Sequence, residues 1–170
     1  MLSKKMQEAL NTQINKELYS AYLYLSMAAY CETVNLKGFA NWMMVQVQEE
    51  LSHAQKFFHV VNERGGRVVL QPIDGPPAKW DSPLAVFKNV YEHEQLVTGL
   101  INGLVRLARE ENDCATEAAL QWFVTEQVEE EASAGEVVEQ LKLAGDRGGE
   151  FFMLDRELGT RVFTPPAASG

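Results

Sequence analysis

Residues 49–54 of the chain read Glu-Glu-Leu-Ser-His-Ala, and the prediction of the fold starts from this stretch. Glu50 and His53 are three residues apart, so on a helix their side chains lie on one face, about one turn from each other. An acid and an imidazole spaced in this way are typical ligands of a metal ion held inside a helical bundle. Acidic helices contain such pairs by chance, so this pair predicts a metal site only if the other helices place further ligands at the same depth.

Apolar residues at spacings of three and four, together with caps and breakers, predict four long helices and a short fifth one. Ser3 and Asn35 are the expected N-caps of the first two helices. Ser82 followed by Pro83 starts the third, and Asn112 with Asp113 separates the third from the fourth. The expected helix bounds are about 4–33, 36–64, 83–111, 113–144 and 150–161. On the first helix, the expected core positions include Met6, Leu10, Ile14, Leu18, Ala21, Leu25 and Ala28.

The stretch between the second and third helices is rich in glycine and proline. Gly65–Gly66 ends the second helix, and three prolines and a glycine follow within residues 67–82. These residues predict a non-helical crossover at about 65–82, with a short extended piece at 68–70.

Helices of about 28 to 31 residues would be roughly 42–46 Å long. Two hairpins of such helices joined by one long crossover make a four-helix bundle. We therefore predict an all-α chain with a single domain over residues 1–170, in which the bundle occupies about 4–144 and a short fifth C-terminal helix follows.

Four acids and one histidine lie at matched depths in the predicted hairpins. Glu17 and His53 are each about 18 residues from the first turn, near residue 35, and Glu94 and Glu130 are each about 18 residues from the second turn, near residue 112. Antiparallel partners equally far from their turn lie side by side, here about 27 Å from it. Simple counting still leaves a stagger of roughly 9 Å between the two hairpins.

Ionised carboxylates gathered in a bundle core repel each other and are poorly solvated. A divalent or trivalent metal ion reverses this cost. Oxygen ligands with a single imidazole suit iron or manganese better than structural zinc, which prefers cysteine and histidine. The five residues that predict this dinuclear metal site are Glu17, Glu50, His53, Glu94 and Glu130.

The composition restricts the partners. A formal net charge of −9 argues against nucleic acid and is compatible with attracting cations. Cys31 and Cys114 are too few for a disulfide framework, so free buried or half-buried thiols in a reducing compartment are expected. The chain shows no signal-peptide pattern and no apolar run of about 18 residues, so we expect a cytoplasmic protein without a membrane span.

Four stretches carry a resemblance to a known family. Residues 15–22, Asn-Lys-Glu-Leu-Tyr-Ser-Ala-Tyr, resemble the first-helix motif of ferritins, and residues 49–54 resemble the second-helix motif. Residues 64–67, Arg-Gly-Gly-Arg, are similar to the start of the ferritin crossover, and residues 122–130 resemble the fourth helix. The resemblance covers nearly the whole chain and points to non-haem ferritins of bacteria or archaea. It implies a ferritin-like bundle with a short fifth helix.

The same resemblance implies a ferroxidase centre within the chain. Glu17, Glu50 and His53 would bind one iron, while Glu50, Glu94 and Glu130 would bind a second, with Glu50 bridging the two. Iron(II) would be oxidised to iron(III) by O₂ or peroxide, and ferric oxyhydroxide would grow inside a homo-oligomeric cage of twenty-four subunits. The alternative is a passive storage shell without ferroxidase activity.

Further residues receive roles from the resemblance alone. Gln127 stands where related di-iron enzymes carry the glutamate of a second Glu-x-x-His, so the second metal lacks a histidine; we interpret this as a site through which iron passes. Tyr24 would hydrogen-bond to the site or donate one electron. Glu49, Glu126 and Glu129 match a third iron site.

Other positions separate this chain from related families. Ser52 occupies the region where a bacterioferritin carries its haem-binding methionine, so no haem is expected. Glu117, with Asp113 nearby, matches the lining of the threefold channel of ferritins, and the fifth helix matches the element at their fourfold axes. His59 and His93 are expected on exposed helix faces.

Overall fold

The computed structural model describes residues 1–145 and 148–166, which form five helices and no strand. The helices are α1 (Lys4–Thr33), α2 (Lys37–Glu63), α3 (Pro83–Glu110), α4 (Cys114–Ala144) and α5 (Gly148–Leu158). Helices α1 and α2 form one hairpin, α3 and α4 form the other, and α5 packs on α2 and α4. The predicted all-α four-helix bundle with a short fifth helix is confirmed.

Three of the four long helices begin at the predicted caps. The side chains of Ser3, Ser82 and Asp113 each accept a hydrogen bond from the backbone N–H three residues further on. Each bond satisfies one of the N–H groups that a helix start leaves unpaired. The crossover, residues 66–82, contains neither helix nor strand. Asn11 of α1 holds it in place, donating to the carbonyl of Arg67 and accepting from the N–H of Val69.

The start of α2 differs from the prediction. Asn35 does not cap this helix: its φ is +61°, in the left-handed region that asparagine tolerates, and it forms the turn instead. The N-cap is Leu36, which makes no side-chain cap bond. Asp155 of α5 supplies the cap, because its Oδ1 accepts from the N–H groups of Gly38 at 2.9 Å and Phe39 at 3.1 Å.

Helix α5 is therefore seated on the N-terminus of α2. It begins two residues before the predicted start and ends at Leu158, three residues before the predicted end, because the chain turns at Gly159–Thr160. The predicted linker at 145–149 lies partly outside the described residues. Leu154 and Leu158 of α5 are buried, whereas Phe152 is exposed.

Two apolar clusters fill the bundle, one toward each end. The first surrounds Met27, Phe39 and Phe87, and the second surrounds Leu10 and Phe57. Buried polar side chains lie between the clusters along all four long helices: Gln13, Glu17, Ser20, Gln46, Glu50, His53, Glu94, Gln127 and Glu130. The bundle core is thus interrupted at mid-length by a polar layer.

One predicted core position on α1 is wrong. Leu25 is 45% exposed, whereas its neighbour Tyr24 is fully buried. The buried positions of α1, which include the neighbours Leu23 and Tyr24, form a stripe along one side of the helix, and Leu25, about 100° further round than Tyr24, lies beyond the edge of that stripe. The larger side chain, whose hydroxyl has a partner in the polar layer, takes the buried place.

Replacing Gly38 by alanine should separate α5 from α2. A Cβ at Gly38 would lie 1.5 Å from the backbone carbonyl oxygen of Asp155, so backbone must move. We expect Gly38→Ala to destabilise the protein by about 1–3 kcal/mol, as overpacking does, and thermal unfolding would measure it. Gly99→Ala in α3 is the control, because a Cβ there meets nothing within 4 Å and should raise stability slightly. Equal unfolding midpoints for both variants would contradict this close contact.

Candidate metal centre

The first hairpin contributes three buried side chains to the polar layer. Glu17 comes from the middle of α1, and Glu50 and His53 lie one turn apart on α2; each is no more than 2% exposed. The Nδ1 atom of His53 lies 3.6 Å from Glu50 Oε2 and 4.0 Å from Glu17 Oε2. One ligand atom from each of the three falls within 4.8 Å of the others, which is a spacing that a single metal ion can bridge.

The second hairpin contributes Glu94 from α3 and Glu130 from α4, both buried. Glu94 accepts hydrogen bonds from the hydroxyl of Tyr24 and, at 3.1 Å, from Nε2 of Gln127. Glu130 Oε2 accepts from Nε2 of Gln46 at 2.7 Å. Both carboxylates are therefore oriented by donors on neighbouring helices.

The two hairpins meet at the same depth. One ligand atom each of His53, Glu126 and Glu130 lies within 4.8 Å of the others, so α2 and α4 come together at the site. The stagger of roughly 9 Å left by counting residues is therefore not present here. Counting fixes depth within a hairpin, whereas packing of the apolar clusters decides how one hairpin sits against the other.

The electrostatics of the site favour a bound cation. Burial raises the pKa of Glu17, Glu50, Glu94 and Glu130, and for all but Glu94 the charge of a neighbouring glutamate is the next largest cause. Among the described residues, no lysine or arginine pairs with any of these four carboxylates. The Oε2 atom of Glu17 is buried without a hydrogen-bond partner. Carboxylate oxygens and one imidazole are the donor set that iron accepts.

The comparisons with known proteins agree with this geometry. The sequence model of the family described as ferritin-like domain matches residues 7–144 of this chain. The chain belongs to the ferritin family. It is 46% identical to a bacterial non-heme ferritin of Bacteroides fragilis, over 95% of this chain and all of that protein. A bacterial non-heme ferritin of Staphylococcus aureus is 40% identical, over 96% of this chain and 98% of that protein.

Solved structures show the same fold. An engineered closed form of the ferritin of Archaeoglobus fulgidus is 58% identical, with a TM-score of 0.95 over 96% of this chain and all of that one. The open-pore ferritin of the same archaeon is also 58% identical, with a TM-score of 0.95 over 95% of this chain and all of that one. The predicted resemblance is confirmed. None of the described helices of this ferritin is long and apolar enough to cross a membrane.

Two glutamines of the polar layer were missed by the sequence reasoning. Gln13 Nε2 donates to Glu17 Oε1 at 2.7 Å, and Gln46 Nε2 donates to Glu130 at 2.7 Å and to Glu50 at 3.4 Å. A signal was available, because each glutamine stands four residues before a glutamate of the site and so shares its helix face. Amide donors hold a carboxylate in place without neutralising its charge.

The residues predicted for a third iron site have different surroundings in this ferritin. Glu126 is half-buried and lies beside His53 and Glu130. Glu129 is exposed and belongs to neither group of candidate ligands. Glu49 is held by an arginine that the sequence reasoning did not consider, since Nη2 of Arg161 lies 2.6 Å from its Oε2.

The histidines outside the site differ from each other. His59 is exposed, as predicted, but His93 is not. It is half-buried, lies 2.7 Å from the hydroxyl of Ser20, and packs its ring against Tyr24. Burial lowers the pKa of His93 to about 4, so the ring is neutral at physiological pH. The exposed-face prediction failed because α3 turns this position toward α1.

Tyr24 lies between the apolar cluster and the metal centre. Its hydroxyl donates to Glu94, which is one of the two predicted roles. Burial and the nearby carboxylates raise the pKa of Tyr24 well above its ordinary value. The phenol therefore keeps its proton while it holds Glu94.

The remaining predicted residues lie outside the polar layer. Asp113 caps α4 and pairs with Arg64 at 2.8 Å, and Glu117 pairs with Arg109 at 2.6 Å. The two cysteines are free thiols, of which Cys31 is buried, with its pKa raised to about 12 by burial. Cys114 is exposed, against the prediction of burial.

The metal-free protein should lose stability as pH rises. The four site carboxyls have pKa values raised by folding, so their protonated forms are favoured in the folded chain. The contribution of these four groups to the free energy of unfolding is fully present below the ordinary carboxyl pKa of about 4.3. It is lost as the pH rises through their raised pKa values. We expect a lower unfolding midpoint at about pH 8 than at about pH 5 for chelator-treated protein, measured by calorimetry. The lowered pKa of His93 acts in the opposite sense up to the ordinary histidine pKa, so the test is the difference between the unmodified protein and Glu50→Gln. Glu50→Gln should lose less stability between about pH 5 and pH 8 than the unmodified protein, and equal pH dependence of the two would contradict the assignment.

Proposed function

We propose that this ferritin oxidises iron(II) at its buried carboxylate centre and stores the product as ferric oxyhydroxide inside an oligomeric cage. The observation that carries the proposal is the group of four buried carboxylates and one imidazole with no lysine or arginine paired to them within the described chain. Such a group is unfavourable until a cation binds. Membership of the ferritin family supports iron as that cation.

We propose two ligand sets, which share Glu50. Glu17, Glu50 and His53 would bind the first iron, and their ligand atoms already lie within 4.8 Å of one another. Glu94 and Glu130 would bind the second iron together with Glu50, which bridges the two. Burial of Glu50 next to Glu94 supports the bridging role, since the charge of Glu94 is the largest influence on its pKa after burial.

The protein residues favour the oxidised product. An anionic cluster in a poorly solvated core stabilises iron(III) more than iron(II), because the attraction grows with the charge of the ion. Two iron(II) ions each give up one electron, and O₂ accepts both electrons with two protons to form hydrogen peroxide. Peroxide can serve as the oxidant in place of O₂, accepting two electrons and two protons to leave two waters. Water bound by iron(III) is strongly acidified, so it loses protons as the oxyhydroxide forms.

The second metal position is suited to iron in transit. Gln127 takes the place of a further charged ligand, and its Nε2 donates to Glu94 Oε2 and to the Glu94 carbonyl. It therefore orients a ligand without adding charge, which keeps the second metal more weakly bound. Glu126, one turn before Glu130 and close to it, extends the site toward a third iron, with Glu49 and Glu129 beside it.

Storage of a mineral requires an enclosed space. Apolar clusters fill the bundle on both sides of the polar layer, so the mineral must form between subunits. Large apolar side chains are exposed on α1, on the crossover and on α5, among them Tyr22, Leu70 and Met153. We expect contacts between copies to cover side chains of this kind.

Native mass measurement tests the assembly. Twenty-four chains of 19.1 kDa should give a particle of about 460 kDa with closed symmetry. A monomer or a dodecamer as the main species would overturn the cage of twenty-four subunits.

Stopped-flow oxidation of iron(II) under O₂ tests the activity. Glu50→Ala with His53→Ala removes the bridging ligand and the imidazole, so the initial oxidation rate should fall by at least about tenfold. Glu63→Ala with His59→Ala is the matched control, because it removes the same residue types from exposed positions of α2. Its rate should equal that of the unmodified protein. If the unmodified protein oxidises iron no faster than the site variant, the passive storage shell is the correct function.

A further inference from the structure

Arg161 follows α5, and its side chain binds back onto α2 through four contacts, one of which is a hydrogen bond from Nη1 to the backbone carbonyl of Trp42 at 3.4 Å. Its Nη1 donates to Gln46 Oε1 at 2.8 Å, and its Nη2 pairs with Glu49 Oε2 at 2.6 Å. Its guanidinium lies 4.4 Å above the centroid of the Trp42 ring. The Arg161 side chain is 23% exposed, so its partners on α2 cover most of it.

Gln46 connects this arginine to the metal centre. The glutamine is fully buried, its Oε1 accepts from Arg161, and its Nε2 donates to Glu130 at 2.7 Å and Glu50 at 3.4 Å. A guanidinium only donates hydrogen bonds, so Gln46 must turn its oxygen toward Arg161 and its NH₂ toward the carboxylates. Donation to the amide oxygen also polarises the amide and strengthens its N–H groups as donors.

We propose that Arg161 is a positioning residue for the metal centre, which acts through Gln46 to hold Glu50 and Glu130 in the orientation that binds metal. The inference rests on the proposed function of the site. Glu130 belongs to the second metal position alone, and it accepts the shorter bond from Gln46, at 2.7 Å, whereas Glu50, which both positions share, accepts at 3.4 Å. Among the described residues, Gln46 makes no hydrogen bond to Glu17 or His53. We therefore expect the effect of Arg161 to be larger at the second metal than at the first.

The attachment of α5 does not depend on the arginine side chain. Asp155, which lies within α5, caps the N-terminus of α2. Nδ2 of Asn41 also donates to the backbone carbonyls of Leu158 and Arg161. These contacts involve no atom of the guanidinium, so the side chain can be changed while the segment stays docked.

Cobalt(II) is a suitable probe, because its visible absorption reports ligand geometry and it does not turn over with O₂. Arg161→Met should weaken the second cobalt binding step by about tenfold and shift its absorption bands, as loss of groups that orient ligands does. The first step should stay within about twofold of the unmodified protein. Arg156→Met is the matched control, since it removes the same charge from an exposed position of α5 and should change neither step.

A second variant tests the path through the glutamine. Gln46→Leu should weaken the second step as Arg161→Met does, and the double variant should be no weaker than Gln46→Leu alone, because residues acting through one another are not additive. Additive losses, or an unchanged second step in Arg161→Met, would overturn the proposal while the proposed function stands. Equal weakening of both steps with a lower unfolding midpoint would make Arg161 a structural residue and overturn it as well. If the unmodified protein binds no pair of cobalt ions, the proposed function itself fails.

Discussion

A layer of buried carboxylates between two apolar clusters is the main constraint on this bundle. Burying these acids without a basic partner is unfavourable, and the apolar clusters on both sides must supply the stability that offsets it. Burial in this layer also strengthens the attraction between a carboxylate and a cation, because the dielectric constant there is lower than in water. The unfavourable burial of these carboxylates and their affinity for metal thus have one physical origin.

Around the carboxylates, neutral donors set orientation and leave the charge to the metal. Gln13, Gln46, Gln127 and Tyr24 each donate to a site carboxylate, and none of them carries a compensating charge. A lysine or arginine in their place would hold the acids equally well but would compete with the metal. Arg161 reaches Glu50 and Glu130 only through Gln46.

Helix α5 and the residues after it contact α2, which carries two of the buried ligands. Its Asp155 completes the N-terminus of α2, and the segment that follows carries Arg161 to Gln46. Sequence patterns predicted that a short helix exists here, but its bounds were shifted, and the contacts of Asp155 and Arg161 with α2 were not foreseen. Helical periodicity is a local property, whereas a cap in which Asp155 accepts from a backbone N–H 117 residues away depends on where two distant segments meet.

The sequence by itself determined the helices, three of the four predicted caps and the depth of the acids within each hairpin, because all of these follow from local spacing and from a fixed rise per residue. It also contained the glutamines at i−4 from Glu17 and Glu50, although their meaning was missed. Only the tertiary structure decided how the hairpins align, which of Tyr24 and Leu25 faces inward, that His93 meets Ser20, and that Glu49 is held by Arg161. These outcomes depend on packing between segments far apart in the chain, and no local periodicity encodes that packing.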